Sequence, residues 1–214
     1  MNKTTIFTVR SISRPYLIAL IIIIILLGLG PIIMRSLELS SRKLIGSEIF
    51  KTHVLSNKKE ALKSKIDQQL SKLEADYNLY RELTDSTLFY SDAFQAKIQK
   101  RSLLHLIDLE AKIGGYIWVE KIINHKGGKN YAIQIYSPST EKKDGDSIST
   151  FEKDERGNYF YRKELNAIHE TPPQFYSYQW MNKKRGVVAD KIGYSRLFKG
   201  YDWIIGSGVF LYEI

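Results

Sequence analysis

The pattern of hydrophobic and polar positions divides the chain into an apolar start, a long amphipathic stretch and an alternating, aromatic end. The twenty residues from Pro15 to Met34 carry no charge, and a helix needs about 20 apolar residues to cross a hydrocarbon core of roughly 30 Å. This run is longer than the core of a signal peptide, and no small-x-small cleavage site follows it. The pattern therefore predicts an uncleaved transmembrane signal anchor at residues 15–35.

The charges that flank this run indicate its orientation. Lys3, Arg10 and Arg14 precede it without any acidic residue, and basic residues are enriched on the cytoplasmic side of membrane spans. Basic residues at positions 35, 42 and 43 count against this orientation. We expect residues 1–14 in the cytoplasm and residues 36–214 in the periplasm or outside the cell, in a protein that crosses the inner membrane once.

A helical period of apolar residues follows the anchor. Between residues 36 and 80 there is no proline, and apolar positions recur at intervals of 7, 4, 4, 3, 4 and 3 that trace one helical face. These positions are Leu55, Leu62, Ile66, Leu70, Leu73, Tyr77 and Tyr80. We predict a long helical stalk whose apolar face covers one side of the globular domain, and we expect homodimerisation through this long helix.

Turn-forming residues at 84–87 break this helix. A second helix is predicted from Ser91 to Ile113, where Gly114 and Gly115 end it. Residues 36–112 are therefore assigned to the stalk and the second helix.

From residue 116 the apolar period changes to 2, which is typical of strands. The predicted strands are Tyr116–Ile123, Tyr131–Tyr136, Gln174–Asn182, Gly186–Phe198 and Trp203–Tyr212, with a short helix at Tyr161–Glu170. The predicted fold class is α+β: an N-terminal transmembrane helix, then a long helix and a short helix packed on a five-stranded antiparallel sheet. Residues 113–214 form the core domain in this prediction.

Composition and charge argue against several function classes. The chain has no cysteine, which excludes disulfides, thiolate catalysis and cysteine-based zinc sites. The four histidines form no HExxH pair or recognisable triad, and the acids near Asp144 and Asp154 lack the EF-hand spacing. We predict no catalytic residue, no metal, no cofactor and no enzymatic activity.

The net charge of +9 is divided between residues 1–35 and the rest of the chain. Residues 1–35 contribute four basic groups and no acid, so the remaining 28 Lys and Arg exceed the 23 acids by five. A basic exported domain seldom meets nucleic acid, and its charges are scattered among acids. Attraction to anionic lipid heads or anionic ligands fits the predicted location better.

The closing segment from Phe175 to Ile214 resembles the final strands of Cache domains, the extracytoplasmic sensor domains of bacterial chemoreceptors and sensor histidine kinases. Its motifs are a Tyr-x-Trp strand with Tyr178 and Trp180, a Lys-x-x-Tyr strand with Lys191 and Tyr194, and a closing strand with Trp203, Gly206, Gly208 and Phe210. The resemblance implies a PAS-like sheet. We expect a single Cache domain, because residues 36–112 show no strand pattern.

The candidate ligand site follows from strand geometry and from this resemblance. Side chains two residues apart share a face, and a Tyr- and Trp-rich face suits a small polar organic ligand. The predicted ligand-binding residues are Tyr178, Trp180, Lys191, Tyr194, Tyr116 and Trp118. A partly desolvated Lys191 would prefer a carboxylate partner. Lys191 and Tyr194 share a face only if Gly193 permits a bulge, and Trp203 is predicted to be core.

Three functions remain open from the sequence. In the first, a small organic molecule such as a carboxylate binds the sheet pocket and a signal passes through the membrane. In the second, the chain is a membrane-anchored structural or interaction protein whose pocket is filled by its own side chains and whose sheet packs on a protein partner. In the third, it captures a solute without signalling. The resemblance also implies a second transmembrane helix and an output module after the final strand, so any enzymatic output would lie beyond this chain.

Overall fold

The computed structural model describes residues 14–113, 116–138, 142–182 and 185–211. Two compact units are present, Met1–His53 and Val54–Ile214. The predicted cytoplasmic segment lies outside the described residues except for Arg14. Within the ranges described, no helix is both long enough and apolar enough to cross a membrane. The signal anchor at residues 15–35 stays a prediction.

Four helices and six strands are present in the described residues. The helices are α1 (Arg14–Leu83), α2 (Ser86–Phe89), α3 (Asp92–Ile113) and α4 (Phe160–His169). The strands are β1 (Trp118–Ile122), β2 (Ala132–Tyr136), β3 (Ser147–Ile148), β4 (Tyr176–Asn182), β5 (Val187–Phe198) and β6 (Trp203–Phe210). They form one antiparallel sheet in the order β3-β2-β1-β6-β5-β4.

The predicted number of five strands is wrong, because the described sheet has six. The additional strand is β3, which pairs with β2 through Ala132 and Ile148 and through Ile133 and Ser147. Two residues are too few to show an alternating pattern, and they lie in a polar segment. The α+β class, the long helix and the antiparallel sheet are as predicted.

The apolar face of α1 packs within its own domain. Leu62, Ile66, Leu70 and Leu73 are buried against the sheet and α3, in a core that also contains Trp203. Spacing alone predicted this burial, and the prediction of Trp203 as core is confirmed. Because this part of the face is buried inside the domain, it is not available to a second subunit. Homodimerisation through the long helix remains a prediction that must use other positions.

The opposite face of the sheet is covered by α4. Phe160, Tyr161, Leu165 and Ile168 of this helix are buried with side chains from β1, β4 and β6. The sheet thus separates two cores, one beneath α1 and α3 and one beneath α4. The aromatic strands predicted to form a pocket contribute their side chains to the second core.

Candidate functional site

A cavity of about 60 Å³ lies between α4 and the sheet. Seven aromatic side chains, four charged ones and two polar ones line it. The lining residues are Tyr116, Trp118, Glu120, Gln134, Ser137, Lys142, Phe160, Tyr161, Glu164, Tyr176, Tyr178, Trp180 and Lys191. A mostly aromatic wall with a few convergent polar groups is typical of small-molecule sites.

Five of the six predicted site residues line this cavity: Tyr178, Trp180, Lys191, Tyr116 and Trp118. Strand alternation predicted the four aromatic residues, and the resemblance to Cache domains added Lys191. Their common position supports the predicted location of the pocket.

Tyr194, the sixth predicted residue, lies on the other face of the sheet. Strand β5 pairs in continuous register with both β4 and β6, so there is no bulge at Gly193. Without a bulge, residues three apart point to opposite faces. Tyr194 is buried in the core beneath α1, where its hydroxyl donates to Asp67 of α1 at 3.4 Å. It is therefore not part of this pocket.

Lys191 is the central cation of the cavity. Lys191 is only 4% exposed, because Tyr178 of β4 and Phe210 of β6 lie directly beside it in the sheet. The Nζ atom lies 4.4 Å from the ring centre of Tyr116, 4.9 Å from Phe210, 5.7 Å from Tyr178 and 6.0 Å from Trp118. Aromatic ring faces attract a cation at such distances, so these rings hold the ammonium group at the cavity.

Glycines give the aromatic rings room to lie on the sheet. Gly193 faces Tyr176 across β4 and β5, and Gly206 faces Trp118 across β1 and β6. A Cβ atom on Gly193 would lie 2.7 Å from Cζ of Tyr176, and one on Gly206 would overlap the Trp118 ring. The Gly-x-Gly motif of β6 therefore serves both the fold and the cavity.

Glu164 of α4 organises the inner wall of the cavity. Its Oε1 atom accepts hydrogen bonds from Trp118 Nε1 at 2.9 Å, Tyr176 Oη at 2.7 Å and Ser195 Oγ at 2.7 Å. Burial raises the pKa of the Glu164 carboxyl, and these donors oppose part of the rise because they stabilise the ionised form. Two of the cavity's aromatic side chains are thus fixed by one carboxylate.

Glu120 of β1 is the second buried carboxyl of the wall and is 2% exposed. Tyr131 Oη donates to its Oε2 atom at 3.1 Å. Burial, and then the charge of Glu164, raise the pKa of Glu120 well above its ordinary value. Sequence reasoning missed both acids. Strand alternation could have identified Glu120, because this residue lies two positions after Trp118 and shares its face of the strand.

Tyr116 joins the cavity to the long helix. Its buried hydroxyl oxygen has no hydrogen-bond partner among the described residues, while its ring lines the cavity. Its backbone carbonyl accepts from Ser207 Oγ at 2.5 Å and from Lys65 Nζ of α1 at 3.3 Å. A buried polar atom without a partner is unfavourable.

One long helix lies beneath a single antiparallel sheet, and an aromatic cavity lies on the other face. Residues 86–214 match the family model dCache_2, described as Cache domain. The chain belongs to the Cache domain family. The matched residues include every strand of the described sheet and α2 to α4.

Solved structures with the same fold include chemoreceptor domains. A methyl-accepting chemotaxis protein from Vibrio parahaemolyticus has a TM-score of 0.56 and 15% identity, over 76% of this chain and 95% of that one. A periplasmic sensor domain of a chemotaxis protein has a TM-score of 0.55 and 17% identity, over 73% of this chain and 96% of that one. A Cache chemosensory domain described for carboxylic acid recognition has a TM-score of 0.55 and 20% identity, over 73% of this chain and 95% of that one. At these identities the likeness shows the fold of this Cache domain.

Proposed function

We propose that this Cache domain is the extracytoplasmic, ligand-binding part of a membrane-anchored receptor, and that its cavity binds a small organic acid. The observation that carries the proposal is the cavity lined by buried Lys191 and by aromatic rings. A carboxylate on the ligand would place an opposite charge beside this ammonium group, and such attraction is stronger in a buried site than in water.

The size of the cavity limits the ligand. One water needs roughly 10 to 15 Å³ of cavity volume, so about 60 Å³ leaves room for a small organic ligand. Acetate, propionate and lactate are small acids suited to such a space, and benzoate and citrate are bulkier ones. The related Cache chemosensory domain described for carboxylic acid recognition supports the same ligand class here.

We further propose that binding is relayed to α1 by contacts on both sides of the sheet. On β5, Lys191 faces the cavity, while Tyr194 and Arg196 bond to Asp67 of α1 on the other face. The Tyr116 carbonyl accepts a hydrogen bond from Lys65 of the same helix. A ligand that moves β5 or Tyr116 would therefore act on α1 at residues 65 and 67, and through it on the predicted span at 15–35.

The void also counts against the alternative function. In an interaction protein whose pocket is filled by its own side chains, we would expect no such space beside Lys191. The proposal is for binding without catalysis.

The decisive experiment is calorimetry on the full chain in detergent. Acetate, propionate and lactate are titrated, with methylamine and benzoate as controls for charge and size. We expect heat and a rise in Tm with at least one small acid, because a ligand that binds only the folded state stabilises it. Neither heat nor a Tm shift with any small acid at millimolar concentration would refute the proposed function.

The membrane part of the proposal has its own test. Alkaline phosphatase, which is active only outside the cytoplasm, is fused after Leu211. We expect activity from this fusion and loss of activity when residues 15–35 are deleted. An inactive full-length fusion would contradict the extracytoplasmic location.

A further inference from the structure

We propose that Glu120 is neutral at physiological pH and donates a hydrogen bond from its carboxyl group to the ligand's carboxylate, so that the cavity binds its ligand only together with a proton. This inference rests on the proposed function and specifies how the ligand is recognised. Lys191 supplies the positive charge, and Glu120 supplies a second contact that depends on its proton.

The position of Glu120 makes one of its oxygens available. It lies on the cavity face of β1, two residues from Trp118, and lines the cavity. Among the described residues, its carboxyl has one hydrogen bond, which Tyr131 donates to Oε2. The Oε1 atom is therefore the one through which the side chain can contact a ligand.

The contrast with Glu164 determines where the proton resides. Three donors converge on Glu164 Oε1, whereas Glu120 has the single donor Tyr131. Hydrogen bonds to a carboxylate favour its ionised form, and two neighbouring buried carboxylates do not both ionise readily. Glu164 is therefore the member of the pair that holds the negative charge, and Glu120 the one that holds the proton. The raised pKa of Glu120 agrees with this assignment.

Other titratable groups surround the pair from every neighbouring element. They are Tyr131 before β2, Lys142 and Glu152 on either side of β3, Tyr161 and Glu164 of α4, Tyr176 and Tyr178 of β4, Lys191 of β5, and Tyr116 before β1. Lys142 favours ionisation of Glu120, but its Nζ atom is paired with Glu152 Oε1 at 2.8 Å, which itself opposes that ionisation. The two effects oppose each other, so burial and Glu164 decide the protonation.

A neutral Glu120 has a specific chemical consequence. An ionised Glu120 would repel a ligand carboxylate and attract an ammonium group instead. A protonated Glu120 can donate to a carboxylate oxygen, and a hydrogen bond to a charged group is stronger than one between neutral groups. The two states therefore predict opposite ligand classes and opposite effects of pH.

The test is the affinity for propionate, measured by calorimetry on the full chain from pH 5.5 to 9. Simple carboxylic acids are ionised above about pH 5.5, so the ligand's charge is constant in this range. We expect Kd of the wild-type protein to rise by up to tenfold per pH unit once pH passes the pKa of Glu120. Glu120→Gln, which is neutral and keeps a donor, should bind within about threefold of the wild type at pH 5.5 and show no such pH dependence.

Matched variants separate Glu120 from other titrating groups. Any pH dependence caused by Lys191 would persist in Glu120→Gln. Tyr131→Phe removes the donor that favours ionised Glu120, so the loss of affinity should move to higher pH. Infrared spectroscopy of the ligand-free protein at pH 7 should show a carboxylic acid C=O band that disappears in Glu120→Gln.

The outcomes distinguish the two proposals. Absence of the carboxylic acid band from the wild type at pH 7, or propionate binding that Glu120→Gln weakens more than tenfold at pH 5.5, would overturn the role of Glu120 and leave the ligand class intact. Tighter binding of methylamine than of propionate, with affinity that rises with pH, would show that Glu120 binds an ammonium group as a carboxylate. No binding of any small acid to the wild type would refute both proposals.

Discussion

Substitution of Gly193 by alanine should displace the Tyr176 ring from the cavity wall. The new Cβ atom would lie 2.7 Å from Cζ and 2.9 Å from Oη of Tyr176. Carbon atoms pack at about 3.5 to 4.0 Å, so the ring must retreat by roughly 1 Å. Its hydroxyl is 2.7 Å from Glu164 Oε1, and this displacement would break or severely weaken the hydrogen bond.

The expected destabilisation has two parts. Overpacking of a well-filled core costs about 1 to 3 kcal/mol, and loss of a hydrogen bond to a charged group costs about 1.5 to 3 kcal/mol. The free energy of unfolding should thus fall by about 2.5 to 6 kcal/mol. In a domain of this size 1 kcal/mol corresponds to about 2 to 4 °C in Tm, which gives a decrease of about 5 to 24 °C.

The assay is thermal unfolding of the full chain in detergent, followed by circular dichroism. Tyr176→Ala serves as the matched background, because it removes the ring that the new methyl group would meet. Gly193→Ala should cost less than about 1 kcal/mol in that background, since contacting residues are not additive. An equal cost in both backgrounds would refute the steric explanation, and a wild-type Tm for Gly193→Ala would show that Tyr176 is not held as described.

Three further changes test separate features. Lys191→Met should raise Kd for small acids at least 30-fold, because removing one partner of a buried charge pair costs about 2 to 5 kcal/mol. Lys163→Met, which lies outside the cavity, should leave Kd within twofold of the wild type. Equal effects of the two substitutions would exclude Lys191 as the anion site. Gln69→Met should increase the free energy of unfolding by about 1 to 3 kcal/mol, because both amide atoms of Gln69 are buried without partners among the described residues. The control is Gln68→Met at the neighbouring position. A Gln69→Met variant that is less stable than the wild type would mean that the amide makes hydrogen bonds in solution. The ligand-free wild type should lose stability as pH rises from about 4.3, by up to 1.36 kcal/mol per pH unit, because the raised pKa of Glu120 means that the folded state binds more protons than the unfolded state. Denaturant titrations should show that the free energy of unfolding of Glu120→Gln falls less steeply with pH. An unchanged dependence on pH would contradict a proton on Glu120.

Local patterns predicted the regular elements well. The second helix was predicted from Ser91 and is observed from Asp92, and the short helix predicted at Tyr161–Glu170 is observed at Phe160–His169. These elements are long enough for their apolar period to be visible. Strand β3 was missed because its two residues have no period and exist as a strand only through pairing with β2.

The site was predictable where strand parity applies and not elsewhere. Trp118 and Trp180 were identified from alternation and line the cavity. Tyr194 required a bulge at Gly193 that the continuous pairing of β5 excludes. Glu164 could not be found from the sequence, because an acid on a short amphipathic helix is ordinarily solvated, and only the packing of α4 on the sheet buries it.

The sequence by itself determined the order and type of the main elements, the apolar face of the long helix and the aromatic character of one sheet face, because each depends on residues close together in the chain. Tertiary structure decided the electrostatics. It enclosed Lys191 in aromatic rings and buried Glu120 beside Glu164. Burial and through-space charge determine which of these groups carries a proton, and both depend on residues far apart in sequence.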